Sequence, residues 1–159
     1  MKAIKRYLSN KIKASDIKAT DDNIKQIVKA ELDRLGHDAD LNHINVSKVT
    51  SMYNVFRTDE FGFLGIRYID LNPDVSKWNV ENCKIFDNMF RYCENFNCDI
   101  SKWDTKNATS MRAMFFGCIK FKQDLSGWDV SYNADYTLCF FKCPLIDKKK
   151  YWPHNWPWE

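Results

Sequence analysis

The chain has 159 residues and a formal net charge of +3, and this length indicates a single domain. The charge is uneven, because residues 1–36 carry +4, residues 37–147 carry −3 and residues 148–159 carry +2. The pI of about 8.5 lies below the pI of ~9 and more that is typical of nucleic-acid-binding domains, and no apolar run approaches the ~18 residues of a transmembrane helix.

Residues 1–36 predict two helices. Apolar residues recur at helical spacing in both halves of this segment: Ile4, Tyr7, Leu8 and Ile12, then Ile24, Ile27, Val28, Leu32 and Leu35. Asp21 or Asp22 is expected to cap the start of the second helix, and Gly36 is expected to end it. We interpret the pair as a helical cap over the first repeat. A partner-binding or membrane-surface helix is the alternative, since the first segment is basic.

Residues 37–147 contain a repeat of 25 residues centred on Trp78, Trp103 and Trp128. The three tryptophans follow similar strings, which read Asp-Val-Ser-Lys, Asp-Ile-Ser-Lys and Asp-Leu-Ser-Gly. A degraded copy begins near residue 40, has Ile44 in place of tryptophan and carries an insertion at residues 57–73. About four units are therefore predicted, and a fixed period in this range indicates a solenoid.

Each repeat is predicted to contain one short helix and one strand. In residues 108–118, the apolar positions fall at i, i+3, i+4 and i+7: Met111, Met114, Phe115 and Cys118. Thr109 is the expected N-cap and Gly117 the expected helix end. Residues 124–130 suit a strand. The sequence thus predicts an α/β repeat solenoid of about four strand–helix units with shared ladders of Trp, Phe, Met and Cys.

The string Trp-Asp-Val-Ser-x-x-x-x-Met-x-x-Met-Phe-x-x-Cys-x-x-Phe-Asn-x-Asp-Ile-Ser-x-Trp resembles the BspA-type leucine-rich repeat, also called the DUF285 repeat. Residues 103–128 match almost throughout, and the resemblance covers about residues 40–147. The pattern is abundant in bacterial and mycoplasma surface proteins. It implies a leucine-rich-repeat-like, right-handed stack and a role in adhesion or protein–protein contact.

The cysteines and the recurring aspartates have structural interpretations. Three cysteines share one repeat position and predict a row of buried thiols: Cys93, Cys118 and Cys143. Disulfides would need an oxidising compartment, and a zinc site would need a ligand spacing that the chain lacks. Another repeat position holds Asp74, Asp99 and Asp124, which we expect to bond the local backbone of a turn. Stacked calcium sites are the alternative, without the glycine-rich repeat that accompanies them.

No catalytic motif is present. The sequence contains no phosphate-binding or dinucleotide-binding glycine pattern, no HExxH and no GxSxG. His37 and His43 lie near Asp38 and Asp40, and we interpret them as ordinary polar groups of a loop rather than as a metal or proton-transfer site. The sequence therefore predicts no enzyme, no cofactor and no metal.

The insertion and the C-terminal tail depart from the repeat pattern. Residues 61–68 are quite apolar and predict either a hairpin or strand packed on the first repeat, or a loop on a binding face. Residues 148–159 are rich in Trp and Pro. The tail is expected to fold back over the last repeat, and an aromatic anchor for a partner is the alternative.

The predicted function is a non-enzymatic protein–protein interaction module that binds a macromolecular partner through its solenoid face, insertion or tail. The candidate partner-binding residues are Phe61, Phe63, Tyr68, Lys77, Asn79, Lys102, Asp104, Asp129, Trp152, Trp156 and Trp158. An intracellular inhibitor from a phage or bacterium is one form of this prediction. The alternatives are a bacterial surface adhesin fragment and a nucleic-acid-associated protein that uses the basic ends. A cytoplasmic location is expected from the lack of a signal peptide, or the cell surface if a leader was removed.

Overall fold

The computed structural model describes residues 17–65, 68 and 70–156. Within these residues, regular structure is limited to a parallel pair of strands, β1 (Ile17–Lys18) and β2 (Ile44–Asn45), to helix α1 (Ile24–Leu35) and to a 3-10 helix at Lys149–Tyr151. Ile17 pairs with Ile44, and Lys18 pairs with Asn45. The first predicted helix, around residues 4–12, lies outside the described residues.

The predicted leucine-rich-repeat-like, right-handed solenoid of four strand–helix units is wrong. The described residues contain one α-helix and two strands of two residues each, so the repeats do not each carry a strand and a helix. Residues 108–118, predicted as a helix, and residues 124–130, predicted as a strand, form turns and extended connections instead. The predicted N-cap, Thr109, donates its amide to the carbonyl of Lys84 at 2.8 Å.

The reason lies in two kinds of backbone hydrogen bond that alternate along the repeat. The amides of Met114, Phe116 and Cys118 each donate to the carbonyl three residues earlier. The amides between them donate at 2.7–3.0 Å to the next repeat, from Met111, Ala113, Phe115 and Gly117 to Asp135, Thr137, Cys139 and Phe141. Because every second amide donates its hydrogen bond to the next repeat rather than within its own segment, the i→i−4 bonds of an α-helix do not form. We call the segments linked in this way, residues 51–58, 85–92, 110–117 and 135–142, the turn ladder.

Left-handed backbone recurs at equivalent positions of the turn ladder. One position has φ between 51° and 59° in every segment: Asn54, Asn88, Ala113 and Leu138. Another has φ of 62°, 75° and 55° at Tyr92, Gly117 and Lys142. A side chain in this region costs roughly 1–2 kcal/mol, which the bonds between segments must offset. Two successive turns thus reproduce the apolar spacing that otherwise indicates a helix.

Equivalent aromatic residues of successive ladder segments stack in the core. Phe56, Phe90, Phe115 and Phe140 follow one another at centroid distances of 5.2, 5.8 and 5.7 Å, each pair with an interplanar angle of 8°. Trp103 and Trp128 stack at 6.2 Å. The buried indoles donate Nε1–H at 2.9–3.1 Å to carbonyls, from Trp78 to Leu41, from Trp103 to Val75 and from Trp128 to Ile100. The predicted shared core of Trp and Phe is confirmed, although the element types are not.

The cysteines also follow the predicted arrangement. All six are free thiols, and five of them are buried. The Cys93 Sγ donates to the carbonyl of Phe56 at 2.9 Å, and the Cys118 Sγ donates to that of Phe90 at 3.0 Å. Burial raises the pKa of both thiols well above the ordinary value. The predicted row of buried thiols is therefore confirmed.

The recurring aspartates bond the backbone of their own turns, as predicted. The Oδ1 atoms of Asp74, Asp99 and Asp124 accept at 2.9–3.0 Å from the amides two residues later, those of Ser76, Ser101 and Ser126. These bonds to Ser76 lower the pKa of Asp74 to about 2. Among the described residues, no group of three or more His, Cys, Asp or Glu is placed to hold a metal ion.

Helix α1 covers the first ladder segment. Its residues Ile24, Val28 and Leu32 are buried in the common core. The predicted N-terminal helical cap, residues 1–36, stays a prediction. Gly36 ends α1 as predicted, with φ of 98° and its amide bonded to Leu32. The predicted N-cap is wrong, because Asn23 takes that position. Asp21 instead accepts bonds from the amides of Thr50 and Ser51 and so ties the start of α1 to the turn ladder.

Candidate partner-binding surface

The insertion exposes two phenylalanines beside the first ladder segment. Phe61 is 73% exposed and Phe63 is 43% exposed, whereas Leu64 and Tyr68 of the same insertion are buried. The Tyr68 hydroxyl donates to Asp33 of helix α1 and accepts from Lys29 Nζ at 2.7 Å. Neither the predicted hairpin nor the predicted strand is present in the described residues of the insertion, 57–65, 68 and 70–73. The insertion is thus anchored at Tyr68 and presents its other rings to solvent.

An ionic cluster adjoins Phe61. Arg57 binds Asp59 with two hydrogen bonds, from Nε at 2.6 Å and from Nη2 at 2.8 Å, and the Arg91 Nε lies 3.5 Å from the Asp59 Oδ2. Burial alone would raise the pKa of Asp59, but the hydrogen bonds and charge of Arg57 outweigh it and lower the pKa. The Arg91 Nε is buried, and no described residue accepts a hydrogen bond from it. Two guanidinium groups thus lie against one carboxylate. The cluster therefore carries a net positive charge.

A surface cavity of about 440 Å³ lies between the insertion and the second ladder segment. Its walls include Arg57, Asp59, Phe61, Arg91 and Tyr92. The guanidinium carbon of Arg57 lies 5.7 Å from the centre of the Phe61 ring. Arginine and aromatic side chains of this kind dominate the binding energy of protein interfaces. We call the cavity walls together with Phe63 the insertion surface.

A second exposed feature is a polar row on either side of the buried tryptophans. Five of the predicted site residues belong to it, and all five are exposed: Lys77, Asn79, Lys102, Asp104 and Asp129. Because Trp103 and Trp128 stack at 6.2 Å, the flanking residues of successive repeats lie on one face. Lys77 and Asn79 also line a cavity of about 420 Å³ with His43. The stacked tryptophans thus place Lys102, Asp104 and Asp129 on one face, although not on strands.

The tail folds back onto the last ladder segment. The rings of Trp152 and Trp156 lie 5.3 and 5.6 Å from that of Phe140, and only 3% of Trp156 is exposed. Both tryptophans thus pack on the last repeat, while Trp158 lies outside the described residues. The predicted C-terminal cap, residues 148–159, stays a prediction. A role for Trp152 and Trp156 in partner binding stays a prediction.

Comparison with known proteins identifies the family. The model of the family described as "Mycoplasma protein of unknown function, DUF285" matches residues 22–152, which is most of the chain. The protein belongs to the DUF285 family. No curated protein and no solved structure matches this DUF285 chain. Among its described residues, no helix has the length and apolar character needed to cross a membrane.

Two histidines of the DUF285 chain bind different carboxylates. The His37 Nδ1 lies 2.5 Å from the Asp70 Oδ1, and the His43 Nε2 lies 2.9 Å from the Glu31 Oε2. Burial would raise the pKa of Glu31, but the bonds from Arg34 and His43 lower it. The interpretation of these histidines as ordinary polar groups of a loop stays a prediction.

The residues that sequence reasoning missed are Arg57, Asp59 and Arg91. Arg57 and Arg91 occupy one position of the repeat, so an alignment of the repeats contained a signal for the pair. Asp59 belongs to the insertion, and nothing in the repeat pattern places it beside Arg91. The fold of the insertion determines that contact.

Proposed function

We propose that this DUF285 protein is a non-enzymatic module that binds another protein through the insertion surface and the adjoining polar row. The observation that carries the proposal is the exposure of Phe61, at 73%, beside the Arg57–Asp59–Arg91 cluster. Leaving a whole aromatic ring in water forfeits about 1.5–3 kcal/mol of burial. A partner that covers Phe61 would recover that free energy, and the arginines offer directional contacts at its edge.

The charge pattern of the polar row favours a protein over a nucleic acid. Lys77 and Lys102 precede the buried tryptophans, whereas Asp104 and Asp129 follow them. A surface that binds a phosphate backbone concentrates lysine and arginine on one face. Alternating charges are instead complementary to a mixed protein surface. The sequence resemblance to BspA-type repeats, which are associated with adhesion and protein–protein contact, supports the same proposal.

Affinity capture from a lysate of the source cells, followed by mass spectrometry, tests the proposal. The full chain is compared with the Phe61→Ser variant and with Tyr132→Ser, which removes another exposed ring, 71% exposed, away from the insertion. We expect one protein to be retained by the wild type and by Tyr132→Ser, and its affinity for Phe61→Ser to fall by about tenfold or more. Equal retention by Phe61→Ser would contradict the proposal. So would recovery of nucleic acid that dissociates as the salt concentration rises.

A further inference from the structure

The turn ladder ends in a row of backbone donors that lack acceptors. Each earlier segment donates four alternate amides to the segment that follows it, as residues 110–117 do to residues 135–142. In the last segment the equivalent amides belong to Tyr136, Leu138, Phe140 and Lys142, and no described residue accepts a hydrogen bond from any of them. Their two-residue spacing is that of the donors along an open β-sheet edge.

These donors lie beside an apolar groove. A cavity of about 290 Å³ separates the last ladder segment from the folded-back tail. Leu138, Phe141 and Ile146 line it and are all exposed, with Leu138 at 46%. Trp152 and Trp156 form the wall on the side of the tail. We call this cavity the terminal groove.

A side chain in the terminal groove also lacks an acceptor. The Nε1 of Trp156 is buried, and no described residue accepts a hydrogen bond from it. The core indoles of Trp78, Trp103 and Trp128 each donate to a carbonyl, so Trp156 departs from the pattern of the fold. A buried indole N–H without a partner costs free energy. The groove thus offers an indole donor besides the four amides, and the complementary group is a row of carbonyl oxygens.

The opposite end of the turn ladder has the matching acceptors, but helix α1 covers it. No described residue donates to the carbonyls of Ser51, Tyr53 and Val55. Asp21, just before α1, binds Thr50, and Lys25 of α1 lies 5.2 Å from the centre of the Tyr53 ring. A second copy of the chain would have to displace α1 before it could offer these carbonyls to the groove. The structure therefore favours an occupant from a different protein.

We propose that the terminal groove binds an extended peptide segment of a partner protein. The carbonyls of that segment accept from the amides of residues 136, 138, 140 and 142, and one of its apolar side chains fills the space between Leu138 and Trp152. Strand addition of this kind takes affinity from the main chain and specificity from alternate side chains. The exposed Lys142 directly follows the groove residue Phe141 and favours an acidic residue beside the apolar one. The inference rests on the proposed function, and it assigns a class of partner to a second surface of the same module.

Selection from a phage-displayed library of random heptapeptides against the full chain tests the groove. Enriched peptides are synthesised and titrated into ¹⁵N-labelled protein. We expect an apolar residue flanked by Asp or Glu, and shifts of the amide signals of residues 136, 138, 140 and 142 together with the indole signal of Trp156. Failure to enrich any peptide overturns the proposal, and so do shifts confined to the insertion surface.

Two variants test separately the apolar space and the indole donor of the terminal groove, and a third variant is the control. Leu138→Arg blocks the groove and is expected to weaken peptide binding by at least about tenfold. Its backbone is no more strained than that of the wild type, since φ at Leu138 is already 59°. Trp156→Phe keeps a ring but removes the donor, and a loss of about fivefold is expected. Tyr132→Arg, outside the groove, is expected to bind as the wild type does. Equal affinities for all three variants would refute the assignment.

The outcomes for the two surfaces are distinguishable. If Phe61→Ser loses the captured protein and no peptide binds the groove, the proposed function stands and the groove proposal fails. If selected peptides bind the groove but the captured protein is indifferent to Phe61, the insertion surface is the wrong contact. Concentration-dependent sedimentation that Leu138→Arg abolishes would show that a second copy of the chain, rather than a peptide, occupies the groove, and would overturn the proposal.

Discussion

Gly117 and Lys142 occupy the same left-handed position of the turn ladder, with φ of 75° and 55°. Adding a side chain at Gly117 and removing the one at Lys142 tests whether this backbone is a turn. We expect Gly117→Ala to destabilise the protein and Lys142→Gly to stabilise it. In an α-helix both signs would be reversed, because glycine is about 1 kcal/mol worse than alanine there. The sign of each change in stability, rather than its size, therefore distinguishes a turn from a helix.

The magnitudes follow from the local geometry. A Cβ added at Gly117 adopts the left-handed region, which costs roughly 1–2 kcal/mol. It also lies 2.7 Å from the Cδ1 of Tyr92, so that ring must move, at about 1–2 kcal/mol more. Lys142 is exposed, and replacing it with glycine removes the strain but adds about 0.4–1 kcal/mol of unfolded-state entropy. The expected changes are a loss of about 2–4 kcal/mol for Gly117→Ala and a gain of about 0.5–1 kcal/mol for Lys142→Gly.

Equilibrium unfolding in urea, followed by tryptophan fluorescence, measures both changes. Lys142→Ala is the matched control, because it removes the same charge and leaves the left-handed strain in place. We expect Lys142→Gly to be more stable than Lys142→Ala, with unchanged dependence on urea concentration. The turn assignment is refuted if Gly117→Ala gains stability while Lys142→Gly loses it relative to Lys142→Ala.

Two further predictions concern the core and the turns. Trp128→Phe removes the 3.0 Å bond from the indole to the Ile100 carbonyl, which keeps its bond from the Trp103 amide, and opens a void, so we expect a loss of about 1–3 kcal/mol in urea unfolding; an unchanged midpoint would show that this bond contributes nothing. Asp74 has a folded-state pKa of about 2, below its ordinary value, so its contribution, which solvent screening of this partly exposed carboxylate reduces to about 1 kcal/mol, is present above pH ~4 and is lost as the pH falls through the folded value. Asp74→Asn should make the decline in stability between pH 5 and pH 2 shallower, and an identical pH profile would contradict this assignment.

The repeat predicted which residues form the core, because the spacing of the apolar residues determines which side chains face inward. Met111, Met114, Phe115 and Cys118 are all buried, as their spacing predicts. The element type was missed because that spacing fits both one helical face and two successive turns. Which of the two forms depends on where alternate amides donate, and the acceptors lie in the next repeat, about 25 residues along the chain. No local pattern contains that information.

The sequence indicates only some of the positions that adopt left-handed backbone. Asn54, Asn88 and Gly117 are residue types that tolerate positive φ. Ala113 and Leu138 are not, and they adopt it because the bonds to neighbouring segments determine the backbone there. Phe61 and Phe63 were candidate partner-binding residues because they lie in an apolar insertion that breaks the repeat, but the sequence left open whether that insertion packs on the first repeat or forms a loop on a binding face. The Asp59 contact with Arg91 requires the fold of that insertion, so the sequence alone did not reveal it.

The direction of the ladder bonds explains why the two ends of the chain differ in what they can bind. Four alternate amides of each segment before the last donate to the next segment, whereas the amides of Ile85, Ser110 and Asp135 donate back to the preceding repeat, so among the described residues unpaired carbonyls predominate at one end of the ladder and unpaired amides at the other. Helix α1 covers the acceptor end with Ile24 and Val28, whereas the tail packs Trp156 beside the donor row and none of its described residues, 148–156, supplies a carbonyl to that row. A peptide can add its carbonyls at the donor end without displacing a folded element. The same addition at the acceptor end would first have to remove α1 from the core, and binding through the backbone is therefore expected at the terminal groove alone of the two ends.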